Sequence, residues 1–132
     1  MMRALECRRI LLIDHDAQVR NATAQMLQNH KAVVVHAEDA LKALVEYERQ
    51  PFDAVLTEYD LPDMKGDELA ATMKSFNPNQ RVILLTGQIE HVLETCRVPV
   101  SADVVLSKPC SLVQLALAFR YPAPAALLPA AR

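Results

Sequence analysis

Five short apolar runs recur along the chain: Ile10-Leu11-Leu12-Ile13, Ala32-Val33-Val34-Val35, Ala54-Val55-Leu56, Val82-Ile83-Leu84-Leu85 and Val104-Val105-Leu106. None alternates with polar residues, and all are rich in branched side chains. Such runs read as strands covered on both faces. The stretches between them carry a helical period instead. Val19, Ala22, Met26 and Leu27 make one apolar stripe, and Leu41, Leu44 and Val45 a second that stops before Pro51. A third helix follows Gly66 through Leu69 and Met73 and is broken by Pro78. Ile89, Val92, Leu93 and Cys96 form a short fourth stripe. Ser111 is placed to cap a last helix through Leu112, Leu115, Ala116 and Phe119.

Strand and helix therefore alternate five times. Uniformly apolar strands joined by helices predict a parallel sheet with helices on both faces, a doubly wound (βα)5 member of the α/β class. In such sheets the reactive crevice lies beyond the carboxyl ends of the strands. The polar residues at those ends, Asp14, His15, Glu58, Thr86 and Lys108, are the candidates for chemistry.

Composition narrows the picture. A chain of 132 residues, 52% hydrophobic, is one domain with a real core. Its expected organisation is an extension over 1–8, a domain over 9–120 and a Pro/Ala-rich tail over 121–132 that reads as a flexible end or linker stub. Only two glycines occur, which excludes a glycine-rich phosphate cradle. The net charge of −2 offers no basic footprint, so no direct nucleic-acid partner is expected. No apolar stretch is long enough to span a membrane, and charges interrupt the amino end where a signal peptide is apolar. The expected location is cytoplasmic. Cys7, Cys96 and Cys110 are far apart and lack metal-ligand spacing, which reads as reduced thiols.

The run from Phe52 to Gly66 carries the sharpest signal. An apolar strand ends on an acid, Glu58; Pro62 lies four residues on, and Met64 and Gly66 follow. With Asp14 after strand one, Thr86 after strand four and Lys108-Pro109 after strand five, this resembles the receiver domain of two-component response regulators, CheY-like, from Arg9 to Phe119. The resemblance implies the flavodoxin-like strand order 2-1-3-4-5. It implies a module that is not itself an enzyme and works through protein–protein contacts in a phosphorelay. Its partners would be a histidine kinase, a phosphotransfer protein or an output domain, with a homodimer through strand five and the last two helices as a further option. Glu58 then stands at the phosphoacceptor position, with Asp14, His15, Thr86 and Lys108 as the active-site equivalents. Mg2+ would be held by Asp14, Glu58 and the backbone carbonyl of Asp60.

Three departures mark the chain as an atypical or pseudo-receiver. The family has Asp where Glu58 stands. The longer side chain shifts the carboxylate by about 1.5 Å, one C–C bond, and misplacement of that order costs roughly a hundredfold in rate. His15 replaces the second acid of the metal pair, and imidazole suits Mg2+ poorly. Val105 replaces the aromatic residue three before the lysine, which puts the usual Thr–aromatic coupling in doubt. These changes predict weak or absent phosphorylation and weakened Mg2+ binding, with Glu58 crossing the emptied metal site to meet Lys108. His15 itself is read as a solvent-facing replacement, with a pH-sensitive partnership to Glu58 as the alternative. A haloacid-dehalogenase-type phosphatase using Asp14 and Asp16 is a competing reading, but no acid follows Lys108 to complete its metal site. A flavin carrier is another, opposed by the acidic loop after strand one.

Overall fold

The computed structural model describes residues 5–6, 8–95, 101–120 and 126–127. Its strands are β1 (Arg9–Ile13), β2 (Val33–Ala37), β3 (Ala54–Glu58), β4 (Arg81–Thr86), β5 (Val104–Ser107) and a two-residue β6 (Ala126–Leu127). The helices are α1 (Ala17–Gln28), α2 (Ala40–Arg49), α3 (Gly66–Phe76), α4 (Ile89–Thr95) and α5 (Leu112–Arg120). The sheet is parallel throughout, in the order β2-β1-β3-β4-β5-β6. The expected five-stranded order 2-1-3-4-5 is present. The sixth strand, where a flexible tail was expected, pairs Ala126 with Val104 and Leu127 with Val105. Main-chain pairing at a sheet edge leaves little trace in two side chains, so the tail's composition gave no sign of it. Cys7 and Cys96 lie outside the described residues.

Alternating side chains of the strands feed two cores, one on each face. Leu11, Ile13, Val55, Val82, Leu84 and Val105 pack with Ala40 and Ala43 of α2, Leu69 and Met73 of α3, and Val92 of α4. Ile10, Leu12, Leu56, Ile83, Leu85, Val104 and Leu106 pack with Ala24 and Leu27 of α1 and Leu115 and Ala118 of α5. Three apolar expectations fail here. In α1, Val19 and Ala22 of the expected stripe are exposed, and Ala24 and Leu27 make the buried face. β2 is an edge strand, so Val33 is 46% exposed instead of buried on both faces. α2 turns its small residues to the sheet, which leaves Leu41 and Val45 exposed. Of the expected stripe only Leu44 packs against the core, so the stripe is rotated from the face that packs.

Local chemistry sets the helix starts. Asp16 caps α1, its carboxylate accepting the N–H groups of Gln18 at 2.9 Å and Val19 at 3.2 Å. Ser111 and Gln114 exchange reciprocal side-chain-to-backbone bonds at the start of α5, as the sequence implied for Ser111. Asp63, in the loop after β3, reaches across the sheet edge and accepts the Ala40 and Leu41 N–H groups, each at 3.0 Å. Burial opposes its charge, but these backbone bonds outweigh burial and hold its pKa below the usual value.

Candidate functional site at the carboxyl edge of the sheet

Parallel register brings the ends of the central strands level. Ile13 pairs with Thr57, Glu58 with Leu85, and Thr86 with Ser107. The next residues continue the alignment: the Tyr59 N–H bonds the Leu85 carbonyl at 2.9 Å and the Lys108 N–H bonds the Thr86 carbonyl at 2.7 Å. Asp14, Glu58 and Thr86 are consequently buried at one edge, with Lys108 half-buried over them. The Lys108–Pro109 peptide bond is cis.

The ion pairing differs from expectation. Lys108 Nζ lies 2.8 Å from Asp14 Oδ2 and 3.6 Å from Glu58 Oε1. Its close partner is therefore Asp14, and the direct Glu58–Lys108 clasp gives way to a looser contact. Glu58 is instead engaged by His15. The His15 backbone N–H donates to Glu58 Oε2 at 2.8 Å, and His15 Nδ1 meets the same oxygen in a short hydrogen bond. His15 is thus anchored to the buried carboxylate, although its side chain is 56% exposed. The favoured reading of His15 as a mere solvent-facing replacement is corrected by this contact. The extra methylene of Glu58 and the ring at position 15 fill one space together. The hydrogen bond and the charge of Glu58 raise the His15 pKa above its usual value against a small opposing effect of desolvation.

Thr86 Oγ1 accepts the Gln88 N–H at 3.0 Å, a turn-forming bond that places the hydroxyl at the mouth of the edge. Asp16 does not reach the pocket because its carboxylate caps α1. A phosphatase that used Asp14 and Asp16 together has no support in this arrangement. The Asp60 side chain turns away to Lys65. Cys110 is buried enough to push its thiol up to about 11, so it is a neutral thiol at ordinary pH.

Asp14, His15 and Glu58 each present one donor atom, all within 4.8 Å of one another. Mg2+ takes an octahedron of oxygens. Here one of the three donors is an imidazole nitrogen, Lys108 holds the Asp14 carboxylate, and His15 holds that of Glu58. This donor set does not match the ion.

The doubly wound sheet with an acid, a hydroxyl and an ammonium at its carboxyl edge is the architecture of a signalling receiver. Residues 10–120 match the response regulator receiver domain model, and the chain belongs to that family. The chain is 29% identical over 108 residues to the response regulator receiver protein CpdR of Brucella abortus, covering 82% of this chain and 90% of that protein. It is 33% identical over 87 residues to the sensor protein TorS of Escherichia coli, covering 65% of this chain but only 9% of that much longer protein. The crystal structure of the signal receiver domain of an HD domain-containing protein from Pseudomonas fluorescens superposes with a TM-score of 0.78 at 29% identity, covering 89% of this chain and 87% of that one. The domain is therefore a receiver of two-component signalling, a class that works with histidine kinases and output domains and binds Mg2+ at acidic residues. Among the described residues, no helix is long and apolar enough to cross a membrane.

The five strand-end residues are legible in the sequence, whereas Asp63 and the half-buried pair of Lys74 and Asp103 are not. Asp103 accepts Lys74 Nζ at 2.8 and 2.9 Å and the Val82 N–H at 2.7 Å. The signal for Asp63 was its place in the Pro62-Asp63-Met64 turn, a position where Asp often serves the backbone.

Proposed function

We propose that this receiver is a pseudo-receiver held in one state, in which Glu58 does not accept a phosphoryl group and the domain acts through constant protein–protein contacts. The observation that carries this reading is the pair of hydrogen bonds from His15, backbone and ring, to Glu58 Oε2. These bonds occupy Oε2, and the Lys108 ammonium lies 3.6 Å from the other oxygen, Oε1, so both oxygens of the acceptor position face a donor. The charges support the same reading. Asp14 and Glu58 bring two negative charges, Lys108 brings one positive charge, and His15 brings a second when it is protonated, a form that the bond to Glu58 favours. The pocket approaches neutrality without a divalent cation, which lowers its affinity for Mg2+. Glu58 resembles a phosphorylated aspartate only in part, since it carries one charge and two oxygens where phosphate has about two and three.

The test is treatment with an acyl phosphate donor and Mg2+, applied to wild type, Glu58→Asp, and Glu58→Asp with His15→Asp. The adduct is read by intact mass and by its lability to hydroxylamine, which cleaves acyl phosphates. Only the reverted forms should gain a hydroxylamine-labile phosphoryl group, the double variant most. Such a group on Glu58 of the wild type overturns the reading.

A further inference from the structure

The two edges of the sheet differ in what they offer another chain. Beyond β5 the edge is taken by the two-residue β6, and the sequence sets Pro122 and Pro124 before it and Pro129 after it. Proline cannot donate to a ladder, so that edge is a poor template for a further strand. At the other side β2 runs for five residues, Val33–Ala37, with no proline, lysine or carboxylate within it. Val33 and His36 are exposed. The Val33 N–H donates to the Arg8 carbonyl at 2.8 Å, and the Ala37 carbonyl accepts the Asp14 N–H at 3.1 Å. Main-chain direction alternates along a strand, so Val33, Val35 and Ala37 face β1. The N–H and C=O groups of Val34 and His36 then face the open edge, where they have no partner among the described residues.

We propose that the β2 edge docks a second copy of this chain, antiparallel, about a two-fold axis at Val35. The occupant follows from self-complementarity. With Val35 on the axis, Val34 lies opposite His36 of the second copy, and His36 opposite its Val34. These are the residues whose main-chain groups point outward, and an antiparallel bonded pair exchanges both N–H···O bonds. The charges at the strand ends match in the same register. Lys31 is exposed and forms no ion pair among the described residues. Glu38 is exposed and pairs with Lys42 of α2, and Asp39 caps that helix. The two-fold sets Lys31 of each copy beside Glu38 and Asp39 of the other, so opposite charges meet at both ends. Symmetry guarantees both features in a second copy. The contact joins two sheets into one but is small, so its dissociation constant is on the order of 100 µM. It is a contact for a domain that works through protein–protein contacts, and it does not depend on whether Glu58 accepts a phosphoryl group.

The experiment is sedimentation equilibrium of the full chain from about 10 µM to about 1 mM, with amide hydrogen exchange at both ends of that range. The expected result is a reversible monomer–dimer equilibrium. Exchange of the Val34 and His36 amides should slow about threefold or more at the higher concentration, while Val33 and Val35, already bonded to β1, change little. Val33→Lys guards the edge as natural edge strands do and should abolish the dimer, with the melting temperature of the dilute protein unchanged. Lys31→Glu, on the surface, should weaken the dimer about tenfold, because symmetry repeats the change at both ends. Adding Glu38→Lys to Lys31→Glu should recover about threefold or more of that loss. A chain that stays monomeric at the highest concentration overturns the inference, as does a dimer insensitive to Val33→Lys and Lys31→Glu. Assemblies larger than a dimer, or a second charge reversal that recovers nothing, overturn it too. A monomer leaves the pseudo-receiver reading intact, and a phosphoryl group on Glu58 leaves the β2 contact intact.

Discussion

At the scale of single residues, the pocket is decided by which cation each carboxylate faces. Asp14 faces Lys108 at 2.8 Å, and Glu58 faces His15. Folding raises the His15 pKa, so the folded state holds that proton more tightly than the unfolded chain does. The resulting stabilisation is complete below the ordinary histidine value of 6.5 and is lost as pH rises through the higher folded value. Thermal melts across this window should fall with rising pH in the wild type, and the slope should flatten in His15→Gln. An unchanged slope in the variant would assign the pH dependence to another group. The sequence placed both residues correctly at the strand ends. It could not assign their partners, because pairing depends on side-chain torsions and on how far one methylene extends Glu58 toward the neighbouring strand.

At the scale of elements, the two glycines divide by their surroundings. A Cβ on Gly66 would come within 2.3 Å of the Glu58 carbonyl oxygen and 2.7 Å of Leu84 Cδ1, so the start of α3 lies against the end of β3. Gly66→Ala should destabilise the domain by about 1–3 kcal/mol, read as a lower urea midpoint. It should also disturb the Glu58 main chain. Gly87 has nothing within 4 Å, and Gly87→Ala should stay within about 0.5 kcal/mol of wild type. Far from the pocket, Lys74 binds both oxygens of Asp103 and the Gln80 carbonyl, tying α3 to the starts of β4 and β5. Asp103→Ala strands a half-buried ammonium and leaves the Val82 N–H without its partner. A loss of about 2–3 kcal/mol is expected by denaturant titration. The helix stripes were legible in the sequence, but their rotation was not. In α2 the large Leu41 and Val45 drew the eye, whereas Ala40 and Ala43 let the helix lie close on β1 and β2.

At the scale of the whole molecule, parallel register makes one pocket from residues 94 positions apart, Asp14 and Lys108. Because that pocket is already balanced by its own cations, Mg2+ at millimolar concentration should produce no saturable shift in the backbone amide spectrum around Asp14 and Asp60. Glu58→Asp with His15→Asp should restore such a shift, because the change replaces an imidazole by an oxygen donor and a long carboxylate by a short one. Saturable binding by the wild type would show that the His15–Glu58 contact opens readily.

Much of this domain follows from local sequence. Five apolar runs with intervening helical periods dictate a parallel, doubly wound sheet, because each strand must be covered on both faces and each helix has one side to bury. Chain order alone then places Asp14, Glu58, Thr86 and Lys108 at the carboxyl edge. Tertiary structure decided the rest: which face of each helix packs, the pairing of Ala126 and Leu127 with β5, and above all the transfer of Glu58 from Lys108 to His15. Those outcomes depend on distances of a few ångströms between segments remote in sequence, where Coulomb energy and hydrogen-bond direction change steeply and residue type alone carries no record of them.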